Sequence, residues 1–263
     1  GLSHDGEIAV VATGERTGTL DRSLIAFDVA NGQQLAELWD GEGITHSYRR
    51  FSPLPGDFRL LATSTQTGFE RPLIWNPKTG ERIDLALPDV PGDVTPWDWS
   101  PDGKQVLLCQ VHQAEYQLYT YDLATGQVTR LNHPAGVIGN GFSDSYGGYF
   151  TPQGELYVTY SDSVQPARLV ALDGATGELK RTVLAAGQVP AGRKWRSVSF
   201  PSTDGVTIQG WLGTPEGDGP FPTILETHGG PTAVMNEYFT PSAQAWIDHG
   251  FAYFTINYRG STT

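Results

Sequence analysis

Residues 100–127, "SPDGKQVLLCQVHQAEYQLYTYDLATGQ", hold two turns and two strand-like runs, and the way they recur along the chain decides the fold. In "SPDG", Ser100 can accept hydrogen bonds from the turn backbone and Pro101 presets φ. Asp102 suits the bridge region, and Gly103 takes a positive φ. "KQVLLCQV" follows this turn, and "QLYTYDL" runs into a second, "DLATGQ", whose Gly126 sits where a left-handed residue is needed.

The first turn returns as "SHDG" at 3–6, "SPLPGD" at 52–57 and "TPQG" at 151–154, with Gly6, Gly56, Gly103 and Gly154 spaced 50, 47 and 51 apart. The second returns as "DVANGQ" at 28–33, "NPKTGE" at 76–81 and "DGATGE" at 173–178, with Gly32, Gly80, Gly126 and Gly177 spaced 48, 46 and 51 apart. "RSLIAFDV" and "RPLIWNP" occupy the place of "QLYTYDL" in their own units. Short strands and paired turns at this period are the pattern of β-propeller blades. A β-sandwich need not repeat its turns at fixed offsets. The expected fold is therefore mostly β, with four visible blades belonging to a larger propeller. Trp97, Trp99, Tyr119 and Tyr121 alternate with other residues and are expected in the core between blades. The loop-like stretch "SDSYGGYF", 143–150, is a weak candidate for the wall of a central channel.

The totals fit a globular chain. It has 263 residues, 38% apolar, with 32 Gly and 18 Pro, and a mean hydropathy of -0.30. The formal charge is -12. No Lys/Arg cluster offers a nucleic-acid groove, and an acidic surface mildly repels anionic membranes, so neither is expected as a partner. Cys109 is the single cysteine, so an intrachain disulfide is excluded. It reads as a small core residue in a strand, compatible with a reducing compartment, and the expected location is cytoplasmic. No apolar run approaches the ~20 residues that span a bilayer. "GLSHDGEIAVV" at 1–11 reads as a turn entering a strand, so the chain is expected to be an internal piece of a longer protein.

After "ELKRTVL" the repeat stops. "AAGQVPAGRKW", 185–195, is small, Gly/Pro-bearing and aperiodic, and reads as a linker. "RSVSFPSTDGVTIQGWLGTP" alternates around "TDG", which predicts a hairpin pairing Val198–Phe200 with Val206–Leu212. Thr223–Thr227 is an apolar run suited to a strand buried on both faces. "SAQAWIDHG", 242–250, puts Ala243, Trp246 and Ile247 on one helix face, with Gly250 ending the helix. "FAYFTINYRG" is another buried strand. Strand, loop, helix, strand begins an α/β domain. The expected division is 1–184 propeller blades, 185–194 linker and 195–263 the start of the α/β domain.

Between the first two of those elements stands "HGGP", 228–231. A glycine-rich loop after a central strand can aim main-chain N–H groups at an acyl oxyanion. Two glycines making a tight turn is the plain structural reading of the same residues. The other histidines, His4, His46, His112, His133 and His249, fall on turns, strands or a helix end with no triad logic. No H-x-x-x-H or C-x-x-C supports a metal site, and no cofactor is expected.

The segment "WRSVSFPSTDGVTIQGWLGTP…FPTILETHGGP…AWIDHGFAYFTINYRGST" closely resembles the opening of the hydrolase domain in the prolyl oligopeptidase family of serine peptidases, nearest its acylaminoacyl-peptidase and dipeptidyl-peptidase-like branches. The resemblance is weak over the blades and strong over 195–263. It implies a propeller followed by an α/β-hydrolase domain, with the propeller gating access for short peptide substrates. It implies that the Gly230 N–H is one oxyanion-hole donor, that Gly229 shapes the loop, and that His228, Pro231 and Arg259 support the site. Some members place a tyrosine hydroxyl where His228 stands, so the histidine implies the backbone-donor version. The catalytic histidine of this fold follows the nucleophile and the acid, so His228 is not the base. The departure is large: no G-x-S-x-G occurs in 1–263. The residues alone are expected to be inactive, the remainder of the hydrolase domain is the implied partner, and homo-oligomerisation stays open. A propeller-based binding module with a degenerate hydrolase remnant, or an esterase or lipase using the same loop, are the alternatives.

Overall fold

A computed structural model describes residues 1–139, 147–230 and 233–261. Four antiparallel sheets follow one another along the chain. The first joins β1 (Ile8–Thr13), β2 (Ser23–Asp28) and β3 (Gln34–Leu38), with Leu2 bridging to Ala9. The second runs β4 (His46–Phe51), β5 (Leu60–Ser64), β6 (Arg71–Trp75), β7 (Arg82–Asp84). The third runs β8 (Asp93–Trp99), β9 (Gln105–His112), β10 (Glu115–Asp122), β11 (Val128–Arg130). The fourth holds β12 (Val137–Ile138), β13 (Gly148–Phe150), β14 (Leu156–Ser161), β15 (Arg168–Leu172) and β16 (Leu179–Ala185). These are the four blades.

The turns that defined the repeat are built alike. Their eight glycines all have φ between +69° and +81°. In the second turn the opening Asp or Asn caps the backbone with its own carboxylate or amide. Asp122 Oδ1 accepts from Ala124 N at 3.0 Å and Thr125 N at 2.9 Å, and Asp28, Asn76 and Asp173 do the same in their blades. In the first turn Ser100 Oγ accepts from Gln105 N at 2.9 Å.

The period-2 alternation of each strand feeds two different cores, one on each side of a blade. Leu60, Ala62, Leu73 and Trp75 of the second blade meet Ile8, Val10, Leu24 and Ala26 of the first. Leu61 and Ile74, pointing the other way, meet Trp99, Val106, Leu108 and Tyr121 of the third. Trp97, Leu107, Cys109 and Leu118 then meet Val137, Leu156, Val158 and Val170 of the fourth. The expected inter-blade aromatics are there: Trp97 and Trp99 are each 2% exposed, Tyr121 is buried, and Tyr119 packs at the edge of its cluster. Trp97 is the extra residue of a β-bulge between Pro96 and Asp98, so it and Trp99 serve opposite cores despite their spacing. Of "SDSYGGYF", 143–146 lie outside the described residues.

A fifth sheet, β17 (Arg196–Pro201), β18 (Thr207–Gly213), β20 (Ala252–Asn257), β19 (Thr223–Thr227), is mixed. The predicted hairpin is β17–β18, with Phe200 opposite Ile208. β19 runs parallel to β20, which needs a crossover, and α1 (Pro241–Asp248) lies in it. Within the described residues β19 is an edge strand, bonded only to β20, and Leu225 is 57% exposed. An apolar run makes a strand fit for burial but does not specify what covers it. One expectation is corrected: Trp246 leaves the buried face of α1. Ala243 and Ile247, spaced i to i+4, reach Trp195, Trp211 and Tyr253, whereas Trp246 sits at the rim against Phe251.

The tip of the β9–β10 hairpin, Gln113 and Ala114, has positive φ at both residues and no glycine. Ala114 is 2% exposed because it seats in the Trp195–Trp211–Tyr253 cluster. That contact joins the third blade to the α/β part.

Candidate active site

β19 and β20 are parallel neighbours, with Thr227 beside Ile256, so the segments that leave their C-terminal ends run side by side. In open α/β sheets that end is where ligands bind. The His228 ring stacks on Tyr258 with centroids 4.3 Å apart and planes 18° from parallel. The Tyr258 hydroxyl donates to His228 O at 2.5 Å. His228 Nδ1 lies 2.8 Å from Gly229 O, and Nε2 lies 2.8 Å from Ser261 Oγ. With Nδ1–H given to that carbonyl, Nε2 of a neutral ring can only accept, so it competes with Tyr258 O, 2.7 Å from Ser261 Oγ, for the single serine hydroxyl proton. Both ring nitrogens are thus engaged inside the loop.

Gly230 has φ +135°, in the region that favours glycine. A Cβ on Gly229 would meet nothing within 4 Å. Among the described residues neither glycine's N–H has a hydrogen-bond partner. The loop therefore holds two main-chain donors unpaired among the described residues, with room beside Gly229. Pro231 lies outside the described residues. Arg259 stands apart from the loop and pairs with Asp204 in the β17–β18 turn.

The open space is a cavity of ≈1580 Å³ between this loop and the blades. The loop side supplies His228, Gly229, Gly230 and the residues after them, Ala233 to Met235 and Tyr238. The blade side supplies apolar Val10, Val11 and Val111 with polar Arg22, Arg49, Glu70 and Asp93. Arg49 Nη2 donates to Glu70 Oε2 at 3.0 Å, and Glu70 N donates to Asp93 Oδ1 at 2.7 Å. Burial pushes the Tyr238 hydroxyl pKa upward.

The stretch after the glycines is held from both sides. Asn257 clasps the Met235 backbone, accepting its N–H at 2.7 Å and donating to its carbonyl at 2.9 Å. Asn236 Nδ2 donates to the Tyr116 hydroxyl of the third blade at 3.2 Å. Glu237, 7% exposed, accepts from Ser163 Oγ at 2.7 Å and pairs with Lys194 at 2.5 Å.

The remaining histidines act elsewhere. His46 is fully buried against Asp40, His133 Nε2 accepts from Leu118 N, and His249 Nδ1 caps Ala245 O. Among the described residues no cluster of three or more His, Cys, Asp or Glu is placed to hold a metal. No helix among them is long and apolar enough to cross a membrane. The sequence reading missed Ser261, Asn257 and every blade residue of the cavity wall. "NYRGS" marked the region of the first two, and the blade residues carry no motif.

No family model matches the chain. The chain is 36% identical over 67 residues to the uncharacterised peptidase YuxL of Bacillus subtilis, a match covering 24% of this chain and 10% of that protein. It is 37% identical over 62 residues to esterase FrsA of Escherichia coli, covering 24% of this chain and 15% of FrsA. Over its whole length the chain superposes on a prolyl endopeptidase with a TM-score of 0.76 at 18% identity, covering 99% of this chain and 37% of that one. A puromycin-hydrolysing peptidase of Mycobacterium tuberculosis gives 0.76 at 14% identity, covering 100% and 41%. In sequence and in fold, the chain resembles the prolyl oligopeptidase family. It spans about two fifths of the length of these peptidases, from blades into the first strands of the α/β part.

Proposed function

We propose that this chain is part of a serine peptidase that hydrolyses short peptides through an acyl-enzyme. The observation that carries the reading is the loop itself: Gly229 and Gly230, whose N–H groups have no partner among the described residues, line a large cavity on a fold shared with peptidases. In this reading Gly230 N–H stabilises the oxyanion, Gly229 leaves room for the acyl group, and His228 holds the loop shape through Gly229 and Ser261. Pro231 and Arg259 are assigned supporting roles, Arg259 through its pairing with Asp204. An oxyanion donor of this kind lowers the barrier by about 2.7–4 kcal/mol.

The division into blades over 1–184, a linker over 185–194 and a hydrolase part over 195–263 belongs to the same proposal. The blades cap the cavity and exclude folded proteins, so substrates are short peptides. No G-x-S-x-G lies in 1–263, so serine, acid and base come from sequence outside these residues, and residues 1–263 alone turn nothing over. His228 is not the base in this reading, because Nδ1 is bonded to Gly229 O and Nε2 to Ser261 Oγ.

The match to esterase FrsA favours a second reading, an ester substrate at the same loop. The two share the acyl-enzyme and differ in leaving group. The protein, extended to include any following nucleophile, should be assayed on N-blocked tripeptide anilides and on matched p-nitrophenyl esters. Cleavage of both, with kcat/KM for anilides depending on peptide length, supports the peptidase. Ester cleavage alone assigns the esterase, and cleavage of neither leaves the propeller as a binding module.

A further inference from the structure

The proposed reaction uses the loop side of the cavity and leaves the blade side without a role. On that side β4 carries a β-bulge in which Tyr48 pairs with Ala62 and Arg50 with Leu61, so Arg49 is the extra residue. The same bulge in β8 turns Trp97 into the core between blades. In β4 it places an arginine in the wall of the cavity that also holds Gly229 and Gly230.

The state of that arginine is unusual. Its side chain is 11% exposed, which withdraws a permanent charge from most of its water. Glu70 takes one N–H of Nη2, and Nε is buried with no acceptor. The sealed Nε cannot meet a ligand, but Nη1 is neither bonded nor buried among the described residues, so the end of the guanidinium keeps free N–H donors on the cavity wall for a carboxylate. Arg22, exposed on the same wall, has no partner among the described residues. The carboxylates nearby are spoken for: Glu70 by Arg49, and Asp93 by the Glu70 N–H and the charge of Arg71.

Resting on the peptidase reading, we propose that Arg49, assisted by Arg22, forms a carboxylate subsite that anchors the peptide substrate from the propeller side. The group bound is the substrate's C-terminal carboxylate or an acidic side chain. Anchoring it there lays the peptide across apolar Val10, Val111 and Val234 toward the glycine loop. Arg49 is thereby a specificity determinant and takes no part in bond making.

The test is calorimetric binding of three peptides to the protein: N-acetyl-trialanine as free acid, its C-terminal amide, and the amide with a central aspartate. Loss of a charge-assisted contact weakens binding about ten- to hundredfold. The free acid, the aspartyl amide or both should bind at least about tenfold tighter than the neutral amide. Which of them does so identifies the carboxylate. Arg49→Met should erase the difference, Arg49→Lys should keep part of it, and the exposed Arg22→Gln should reduce it with the melting temperature unchanged. Equal binding of all three peptides, no binding by any, or a preference that survives undiminished in both Arg49→Met and Arg22→Gln overturns the subsite. Binding needs no turnover. Carboxylate-dependent binding without hydrolysis by the extended protein would refute the peptidase reading and leave the subsite standing.

Discussion

Replacing Asp40 with alanine should destabilise the blades more than any other single carboxylate change outside the cavity. Asp40 follows β3 and reaches across to the next blade. It accepts from His46 Nε2 at 2.9 Å, Ser64 Oγ at 2.9 Å and Arg82 Nη1 at 2.5 Å. His46 is fully buried and Ser64 is 4% exposed, so both lose their acceptor with no water to replace it. His46 Nδ1 already lacks a partner, so the ring would have none at either nitrogen. Arg82 is cushioned, because Asp84 holds it through Nε at 3.1 Å and Nη2 at 2.7 Å. Stranding a buried polar group costs about 1–3 kcal/mol. Two such groups, one able to rotate its hydroxyl, give about 3 kcal/mol. For a chain of this size that lowers Tm by about 6–12 °C. Asp40→Asn, which keeps one acceptor, should lose about half as much. Asp84→Ala is the control: its side chain is 68% exposed, and an exposed ion pair contributes less than about 1 kcal/mol. Urea unfolding followed by tryptophan fluorescence measures all three. A loss below 1 kcal/mol for Asp40→Ala, or equal losses for Asp40→Ala and Asp84→Ala, would refute the reasoning.

Further outcomes follow from the same contacts. Burial holds the His46 pKa below its usual 6.5 against the pull of Asp40. Burial opposes the Asp40 charge too, yet the bonds from Arg82 and Ser64 and the charges of His46 and Arg82 hold its pKa below 3.8. Both shifts mean the unfolded chain binds more protons than the native one. Stability should therefore fall as pH drops below 6.5 and again through the acid range below 3.8, and His46→Gln should flatten the first part of a Tm-against-pH curve. Trp99→Ala opens the core between the second and third blades and removes the 3.2 Å bond from Nε1 to Arg50 O, so it should cost about 3–5 kcal/mol in the same urea assay. Gly230→Ala forces a side chain onto φ +135°, and should slow acylation of the extended protein at least tenfold while leaving Tm within about 1 °C, since the loop is exposed.

The blades were legible because their turns are chemically obligatory. Gly103 and Gly126 need positive φ, and Asp122 needs to cap its own turn, so the residues recur wherever the turn does. The strands between them are read from alternation, and Leu60, Leu61 and Ala62 indeed serve alternate cores. Coverage of a strand is not written in the strand: "TILET" has the same letters whether or not anything packs on it. The cavity wall was illegible for a related reason. Arg49 faces the cavity only because a bulge adds one residue to β4, and its counterpart Trp97 shows that the same bulge can serve a core. The glycine loop stood out through its composition, but the pairing of His228 with Ser261, 33 residues away, depends on the parallel alignment of β19 and β20.

The central claim is that this chain contributes an oxyanion loop to a serine hydrolase whose nucleophile lies outside residues 1–263. Labelling with a fluorophosphonate probe, read by intact mass and peptide mapping, tests it directly. Residues 1–263 should remain unlabelled, while the polypeptide extended past Thr263 should take up one probe on a serine beyond that point. Stoichiometric labelling of residues 1–263, on Ser261 or any other residue, or a lack of labelling in the extended polypeptide, would contradict it.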